Sequence, residues 1–256
     1  MTGFGKPKGM SKKKIKPERS KNMTGETLFK NAMNHHAQGD LANAEKGYRE
    51  AIKIGYYHHD MFKNLGVICK NSGRTDEAVL LYKKAIALKP DEAGAYRNLG
   101  NLYLSLGNFE DAIAISNKSL ELEPNDSEAL LTLGWSQYEL GHLDQALAST
   151  LKSLELKPDN PTAHMNLGGI YKKLGHLDQA LASNLKSLEL KPDNVDVLSN
   201  LFGVYGEGDL SMLKSMTYRA VDQNQSILND LSYIEVISSL GEEFTKHIVS
   251  IKASTI

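Results

Sequence analysis

The sequence LGHLDQALASTLKSLELKPDN at residues 140–160 returns as LGHLDQALASNLKSLELKPDN at residues 174–194, and the two copies differ only at Thr150 and Asn184. The copies lie 34 residues apart, and the same interval separates three further series of residues. These series are Gly39, Gly73, Gly107, Gly141 and Gly175; Ala44, Ala78, Ala112, Ala146 and Ala180; and Pro90, Pro124, Pro158 and Pro192. Self-similarity at a fixed period is typical of repeat architectures, in which each unit stacks on its neighbours.

Each 34-residue unit contains the pattern of two amphipathic helices. In the last well-matched unit, apolar residues recur with a 3.6-residue period along two successive segments, Ala163, Leu167, Ile170, Tyr171 and Leu174, then Leu177, Ala180, Leu181, Leu185 and Leu188. Gly175 separates the segments and predicts a left-handed residue that ends the first helix. Asp178 is expected in the first turn of the second helix, where a carboxylate interacts favourably with the helix dipole. Pro192 is expected to end that helix. The unit is therefore predicted to be a helix–turn–helix pair.

A second glycine series falls inside the first helix of four units, at Gly66, Gly100, Gly134 and Gly168. Glycine in a helix interior costs about 1 kcal/mol relative to alanine. Because this cost recurs at the same position of four repeats, we expect that packing in each of these repeats requires a residue without a side chain there. The series predicts a close approach of the paired second helix, which a Cβ atom would obstruct.

These motifs resemble the signature of the tetratricopeptide-repeat (TPR) family. The spacing Leu-Gly-x-x-Tyr, then Gly, Ala and Pro, is carried by Leu99, Gly100, Tyr103, Gly107, Ala112 and Pro124. The resemblance implies an all-α superhelical solenoid of antiparallel helix pairs, with five to six 34-residue repeats at 25–58, 59–92, 93–126, 127–160 and 161–194 and a degenerate sixth at 195–228. The first unit departs from the pattern with Ala32 in place of the mid-helix glycine. Ser116, Thr150 and Asn184 stand where the family usually packs an aromatic ring, which predicts looser packing in units three to five.

The two ends of the chain differ from the repeats. Residues 1–23 carry seven Lys and one Arg against a single Glu and are expected to form a disordered basic tail. Residues 229–256 contain a further series of apolar residues and are expected to form a C-terminal helical cap over the last repeat. The solenoid itself is predicted to span residues 24–228.

The resemblance also implies a binding groove. In TPR proteins the first helices form a concave wall, to which positions 2, 5, 6, 9, 12 and 13 of each unit contribute. Position 6 carries Asn64, Asn98, Thr132, Asn166 and Asn200. An asparagine amide can pair with both the C=O and the N–H of an extended peptide. The column is similar to the asparagine ladder in the repeats of O-linked N-acetylglucosamine transferases, although asparagine is also common at this position in TPR proteins of other functions.

Further groove candidates are two cations, an amide and two aromatic residues, namely Lys63, Arg97, Asn101, Trp135 and Tyr138. A Lys or Arg can pair with a carboxylate of a partner, and Trp and Tyr are frequent anchors of binding sites. Trp135 has an alternative role, which is packing between adjacent first helices.

The sequence offers no metal, cofactor or catalytic motif. Neighbouring residues of a helix point about 100° apart, so the pairs His35–His36 and His58–His59 are not expected to chelate one ion. A phosphate-binding glycine loop, a dinucleotide fingerprint and a nucleophile elbow are all missing from the sequence. We therefore expect no enzyme activity, no cofactor, no metal and no small-molecule substrate.

The pattern predicts a non-catalytic protein–protein interaction scaffold that binds a peptide segment of a partner in the groove. Many bacterial-type multi-TPR proteins carry a glycosyltransferase or methyltransferase domain downstream of the repeats. One alternative is therefore the substrate-recruiting or regulatory TPR module of such an enzyme, whose catalytic domain is absent from this sequence and would have to act in trans. Another alternative is an adaptor that binds nucleic acid or an anionic membrane through Lys12, Lys13 and Lys14 of the tail. The tail could also serve only to keep the protein soluble. With 41% hydrophobic and 24% charged residues and no secretory signal, the chain is expected to be cytoplasmic.

Overall fold

The computed structural model describes residues 24–191 together with 194, 196, 197 and 200, and ten α-helices lie in this part of the chain. They are α1 (Gly25–Ala37), α2 (Leu41–Lys53), α3 (His59–Asn71), α4 (Thr75–Leu88), α5 (Ala93–Ser105), α6 (Phe109–Leu122), α7 (Ser127–Glu139), α8 (Leu143–Leu156), α9 (Pro161–Lys173) and α10 (Leu177–Leu190). One helix pair falls in each of the first five units defined from the sequence. The all-α solenoid fold predicted from the 34-residue period is confirmed.

The helices divide between two compact units, which meet in sequence between Tyr57 and His58. The first unit contains α1 and α2, and the second contains α3 to α10. The basic tail at 1–23, Pro192, most of the sixth repeat at 195–228 and the cap at 229–256 lie outside the described residues and stay predictions. None of the described helices is long and apolar enough to cross a membrane.

The turn glycines end the first helices as the sequence predicts. Gly39, Gly73, Gly107, Gly141 and Gly175 have φ values of 76°, 75°, 74°, 79° and 80°. At Gly141 the backbone N–H bonds to the Tyr138 carbonyl at 3.0 Å, and the next N–H, of His142, bonds to the Gln137 carbonyl at 2.8 Å. This is the left-handed C-terminal turn that favours glycine, because a Cβ atom is strained there. Gly55, with a φ of 84°, does the same after α2, outside the 34-residue series.

The mid-helix glycines mark the closest approach of the two helices in each pair. A Cβ atom added at Gly66 would lie 2.6 Å from the Tyr82 ring, and one added at Gly168 would lie 2.5 Å from the Asn184 amide. The predicted close approach is therefore confirmed. Side chains as different as Tyr82 and Asn184 occupy the facing position in the second helix, and both pack against a glycine of the first helix.

The first unit solves the same packing problem with the small residue on the other helix. Ala32 stands where later units have glycine, and the facing helix α2 carries Gly47 beside it. A Cβ atom at Gly47 would lie 2.9 Å from the Ala32 Cβ. Above this contact, the Phe29 and Tyr48 rings pack with their centroids 6.2 Å apart. The missing glycine of α1 is thus compensated within the pair.

The core of the second unit becomes more polar along the chain. In its first pair the fully buried Tyr82 fills the space between the helices, whereas Ser116, Thr150 and Asn184 are buried at the equivalent positions of the later pairs. The Ser116 and Thr150 hydroxyl oxygens and the Asn184 carbonyl oxygen are buried without a hydrogen-bond partner in the described part of the chain. Buried polar atoms without partners reduce stability. The looser packing expected of these units stays a prediction.

A serine in the second helix ties each of the last three pairs together. Its hydroxyl donates to the backbone carbonyl of the first residue of the preceding first helix. The bonds run from Ser119 to Ala93 at 3.1 Å, from Ser153 to Ser127 at 2.8 Å and from Ser187 to Pro161 at 2.7 Å. The carbonyl of the first residue of a helix also accepts the N–H four residues on, so each serine adds a second bond that joins the two helices of its pair.

Candidate functional site

In the second unit the first helices α3, α5, α7 and α9 contact one another in succession. Eight of the nine residues predicted for the groove belong to these helices: Lys63 and Asn64 to α3, Arg97, Asn98 and Asn101 to α5, Trp135 and Tyr138 to α7, and Asn166 to α9. The ninth, Asn200, is a half-buried helical residue beyond α10. The predicted residues therefore lie on neighbouring helices, but their environments differ.

Lys63 is engaged by two carboxylates of the protein. Its Nζ donates to Glu92 Oε1 at 2.7 Å and lies 2.8 Å from Asp60 Oδ1. Burial by itself would lower the pKa of Lys63, but the hydrogen bonds to the two carboxylates outweigh it, and the pKa is raised. The ammonium group is therefore charged at neutral pH, and its charge is matched within the fold.

Arg97 makes the equivalent contact one repeat later. Its Nη1 donates to Asp126 Oδ2 at 2.8 Å, and the Asp126 side chain is only 4% exposed. Asp126 also caps α7, because its Oδ1 accepts the backbone N–H groups of Glu128 at 3.0 Å and Ala129 at 3.2 Å. The Arg97 guanidinium thereby connects α5 to the start of α7.

Both ion pairs join residues 29 positions apart in sequence. In each case a cation in a first helix pairs with an acid at the last position of the same unit. Sequence reasoning missed Glu92 and Asp126, although a basic residue and an acid recur at these two positions in successive units. The two cations therefore hold neighbouring first helices together in addition to lining the face.

The asparagine column is not uniform. Asn98 and Asn101 of α5 are half-exposed, and three residues of spacing place them on one face of the helix. Neither amide forms a hydrogen bond among the residues that the structure describes. Asn166, by contrast, is only 3% exposed, and the Thr132 hydroxyl bonds to the Glu128 carbonyl of its own helix at 3.0 Å. The amides available for binding are thus concentrated on α5.

The aromatic candidates form one stacked cluster. The rings of Trp135 and Tyr138 lie 4.6 Å apart, centroid to centroid, with an interplanar angle of 24°. The Lys173 Nζ of α9 lies 3.8 Å from the Tyr138 ring centroid, an attractive cation–π geometry. A Cβ atom at Gly169, which stands at the position of Trp135 in the next unit, would lie 3.6 Å from the Tyr138 hydroxyl. This is an ordinary van der Waals distance, so a Cβ atom at position 169 would fit beside the ring. Sequence reasoning missed Lys173 as a member of this cluster.

The His58–His59 pair does not have the helical geometry assumed from the sequence. His58 is the N-cap of α3, with φ −140° and ψ 138°, so only His59 is inside the helix. The two rings stack with centroids 4.5 Å apart. Burial is the main cause that lowers the pKa of His59. With Asp60, the two histidines place three potential metal-ligand atoms within 4.8 Å of one another.

Three family models match the sequence, all of repeats of one kind. A "TPR repeat" model matches residues 66–107, and two "Tetratricopeptide repeat" models match residues 91–159 and 131–195. Together they span the second to fifth helix pairs almost completely. No curated protein matches the sequence.

Solved structures with a similar fold include a TPR protein and a MamA protein. The thermophilic TPR protein TTC0263 of Thermus thermophilus is 23% identical with a TM-score of 0.54, over 71% of this chain and 98% of that chain. MamA 41-end from Desulfovibrio magneticus RS-1 is 18% identical with a TM-score of 0.60, over 66% of this chain and 96% of that chain. At these identities the similarity concerns the fold.

Proposed function

Because this chain belongs to the tetratricopeptide-repeat family, we propose that it is a non-catalytic scaffold that binds a peptide segment of a partner protein on the face of α5 and α7. We call this the α5–α7 face and define it by Asn98, Asn101, Trp135 and Tyr138. The single observation that carries the proposal is the pair of half-exposed asparagine amides on α5, which make no hydrogen bond among the described residues.

The chemistry of the α5–α7 face suits an extended peptide. Each amide offers a carbonyl acceptor and two N–H donors, which match the alternating N–H and C=O groups of a peptide backbone. Each such bond contributes about 0.5–1.5 kcal/mol net. The stacked Trp135 and Tyr138 rings supply a rigid, partly exposed apolar surface of the kind that anchors a partner side chain. Backbone pairing and an aromatic anchor together would hold a short segment.

The remaining groove residues have secondary roles in the proposal. Lys63 and Arg97 already have matched charges, so a partner carboxylate would have to compete with Glu92 and Asp126 for them. Asn64, Asn166 and Asn200 would extend the site only if the peptide follows neighbouring helices. The likeness to the ladder of O-linked N-acetylglucosamine transferases stays a prediction, as do the cytoplasmic location, the bacterial origin and the absence of enzyme activity.

The two alternatives also stay predictions. A recruiting module for a glycosyltransferase or methyltransferase would use the same face for a substrate protein, with the catalytic domain on another chain. An adaptor for nucleic acid or an anionic membrane would act through Lys12, Lys13 and Lys14, which lie outside the described residues.

Site-specific crosslinking tests the proposal. A photoreactive residue would replace Asn101 in the full-length protein, and the matched control would carry it at Asn117, which is exposed on the paired helix α6. After irradiation in an extract of the source cell, mass spectrometry identifies the crosslinked peptides. We expect a partner peptide that attaches at position 101 and not at position 117.

The identified peptide then allows an affinity measurement. A synthetic copy should bind the Asn98→Ala/Asn101→Ala variant at least about tenfold more weakly than the wild-type chain, since the variant loses two or more hydrogen bonds. Binding by the Asn117→Ala variant should equal that of the wild type. Equal crosslinking at both positions, or wild-type affinity of the double variant, would refute the proposal.

A further inference from the structure

The side chains of His58, His59 and Asp60 converge at the start of α3, and we propose that they bind a divalent transition-metal ion of the zinc type. The three residues offer two imidazole nitrogens and one carboxylate oxygen, all within 4.8 Å of one another. The site belongs entirely to the second unit and is independent of the proposed peptide binding.

The distances are close to those of a tetrahedral site. Asp60 Oδ2 lies 3.7 Å from His58 Nδ1, and Asp60 Oδ1 lies 3.6 Å from His59 Nδ1. In a tetrahedral zinc site with bonds of about 2.1 Å, neighbouring ligand atoms are about 3.4 Å apart. The two distances join different oxygens of one carboxylate to the rings. His58 Nδ1 also accepts the backbone N–H of Asp60 at 3.3 Å, and an ion bound at this nitrogen would replace that cap bond. Small rotations of the side chains would close the site around an ion.

The backbone conformation of His58 makes this arrangement possible. As an extended N-cap residue it lies outside the helix, so its ring turns back over that of His59 instead of pointing away. His35 and His36 provide the contrast, since both lie inside α1. Within the described part of the chain, His58, His59 and Asp60 are the one cluster of three such residues with this spacing.

An unsatisfied atom points to a ligand at this position. The Nδ1 atom of His59 is buried and has no hydrogen-bond partner in the described part of the chain. The Nδ1 atom of His35 is also buried without such a partner, but it lies 3.0 Å from Asp40 Oδ2, closer to a carboxylate than His59 Nδ1 is. Buried polar atoms almost always have a partner, and a bound ion can be that partner. A metal ion between His59 and Asp60 would use the lone pair of this nitrogen.

Lys63 opposes the ion, but the fold allows it to withdraw. Its ammonium group lies 2.8 Å from Asp60 and would repel a cation bound there. The same group also donates to Glu92 Oε1 at 2.7 Å, and Glu92 Oε2 is buried without a hydrogen-bond partner in the described residues. Lys63 could therefore leave Asp60 and remain paired with both oxygens of Glu92.

The donor set selects the kind of metal. Two imidazoles and one carboxylate suit zinc and its neighbours in the first transition row, whereas Mg²⁺ and Ca²⁺ prefer oxygen ligands alone. Three protein ligands leave a fourth position for water or for a group of a partner. An ion held in this way would also fix the first turn of α3.

Zinc titration of the full-length, untagged chain by calorimetry tests the inference. We expect one ion per chain at the tightest site and at least about tenfold weaker binding by the His58→Gln/His59→Gln variant, in line with the losses seen on altering metal sites. Asp60→Asn should weaken binding as well. The matched control, His35→Gln/His36→Gln, should bind zinc within about twofold of wild type. Wild-type affinity of the His58→Gln/His59→Gln variant would overturn the proposal.

A second measurement needs no variant. Addition of one equivalent of paramagnetic Co²⁺ to the wild-type chain should shift or broaden the nuclear magnetic resonance signals of the His58 and His59 rings before those of His35 and His36. If the signals of all histidines changed together, the proposal would be overturned. It would also be overturned if the chain bound no stoichiometric ion.

Discussion

The ion pair between Arg97 and Asp126 can be dissected by copying the repeat that follows it. Leu131 and Asn160 occupy the same two positions one unit later, and Asn160 caps α9 with bonds at 3.0 and 3.2 Å, as Asp126 caps α7. The perturbation is therefore Arg97→Leu and Asp126→Asn, made separately and together. The double variant reproduces a combination that the fold already contains.

The single changes should each reduce stability. Arg97→Leu leaves the carboxylate of Asp126, whose side chain is 4% exposed, with its two backbone N–H partners alone. A hydrogen bond between charged groups contributes about 1.5–3 kcal/mol, and the 32% exposure of the Arg97 side chain reduces this through solvent screening. We expect a loss of about 1–2 kcal/mol. Asp126→Asn keeps the helix cap and should cost about 1 kcal/mol, because Arg97 keeps only the contact with Glu128 at 3.6 Å.

The double variant should lose less than the sum of the single losses. It removes both charges at once and retains an asparagine cap, so no charge is left without its partner. Coupling energies of contacting residues are about 0.5–3 kcal/mol, and we expect about 1 kcal/mol here. The structural reason is the burial of Asp126, since an isolated buried charge is more costly than a removed pair.

Urea unfolding followed by far-ultraviolet circular dichroism measures the four free energies of the cycle. The matched control is the exposed pair Lys118–Glu121, whose nitrogen–oxygen distance is 2.7 Å and whose side chains are 58% and 61% exposed. Lys118→Met and Glu121→Gln should show a smaller coupling than Arg97 and Asp126, because solvent screens an exposed pair. Losses at Arg97 and Asp126 that add within about 0.3 kcal/mol, or a coupling no larger than that of the control pair, would refute the reasoning.

Three further substitutions are expected to change the free energy of unfolding in the same urea assay. Gly66→Ala should lose about 1–3 kcal/mol, because the new Cβ atom would lie 2.6 Å from the Tyr82 ring; an unchanged stability would mean that the ring moves aside. Ser153→Ala should reduce the free energy of unfolding by about 1 kcal/mol, because it removes the 2.8 Å hydrogen bond to the Ser127 carbonyl; an unchanged free energy would show that this bond does not contribute to stability. Thr150→Val should gain about 1 kcal/mol, because the buried hydroxyl has no partner in the described part of the chain; a loss would contradict this account of the core.

Most of the fold could be predicted from the spacing of residues. The 34-residue interval places a glycine after each first helix, and the left-handed conformation of these glycines follows from the steric advantage of lacking a Cβ atom. The close approach of paired helices at Gly66 and Gly168 was also predictable, since a helix-interior glycine repeated at one phase has a cost that packing must offset. The compensation between Ala32 and Gly47 could not be predicted, because it moves the glycine to the other helix of the pair.

The candidate site was predictable only as a set of positions. Helical periodicity puts Asn98, Asn101, Trp135 and Tyr138 on one face, and the structure agrees that they lie on neighbouring first helices. Periodicity could not reveal that Asn166 is almost completely buried or that Lys173 lies over Tyr138. Exposure and contacts between helices depend on how side chains of different units fill the space between them, which the spacing within one helix does not describe.

The class of fold and the helix pairs follow from the amino-acid sequence alone, because they depend on local backbone preferences and on the 34-residue period. The three-dimensional structure was needed to show which charges are paired, as in Arg97 with Asp126, and which ligand atoms lie together, as in His58, His59 and Asp60. The physical reason is distance. A side-chain pair 29 residues apart, or an N-cap residue that leaves the helix, acquires its neighbours from the path of the backbone in three dimensions.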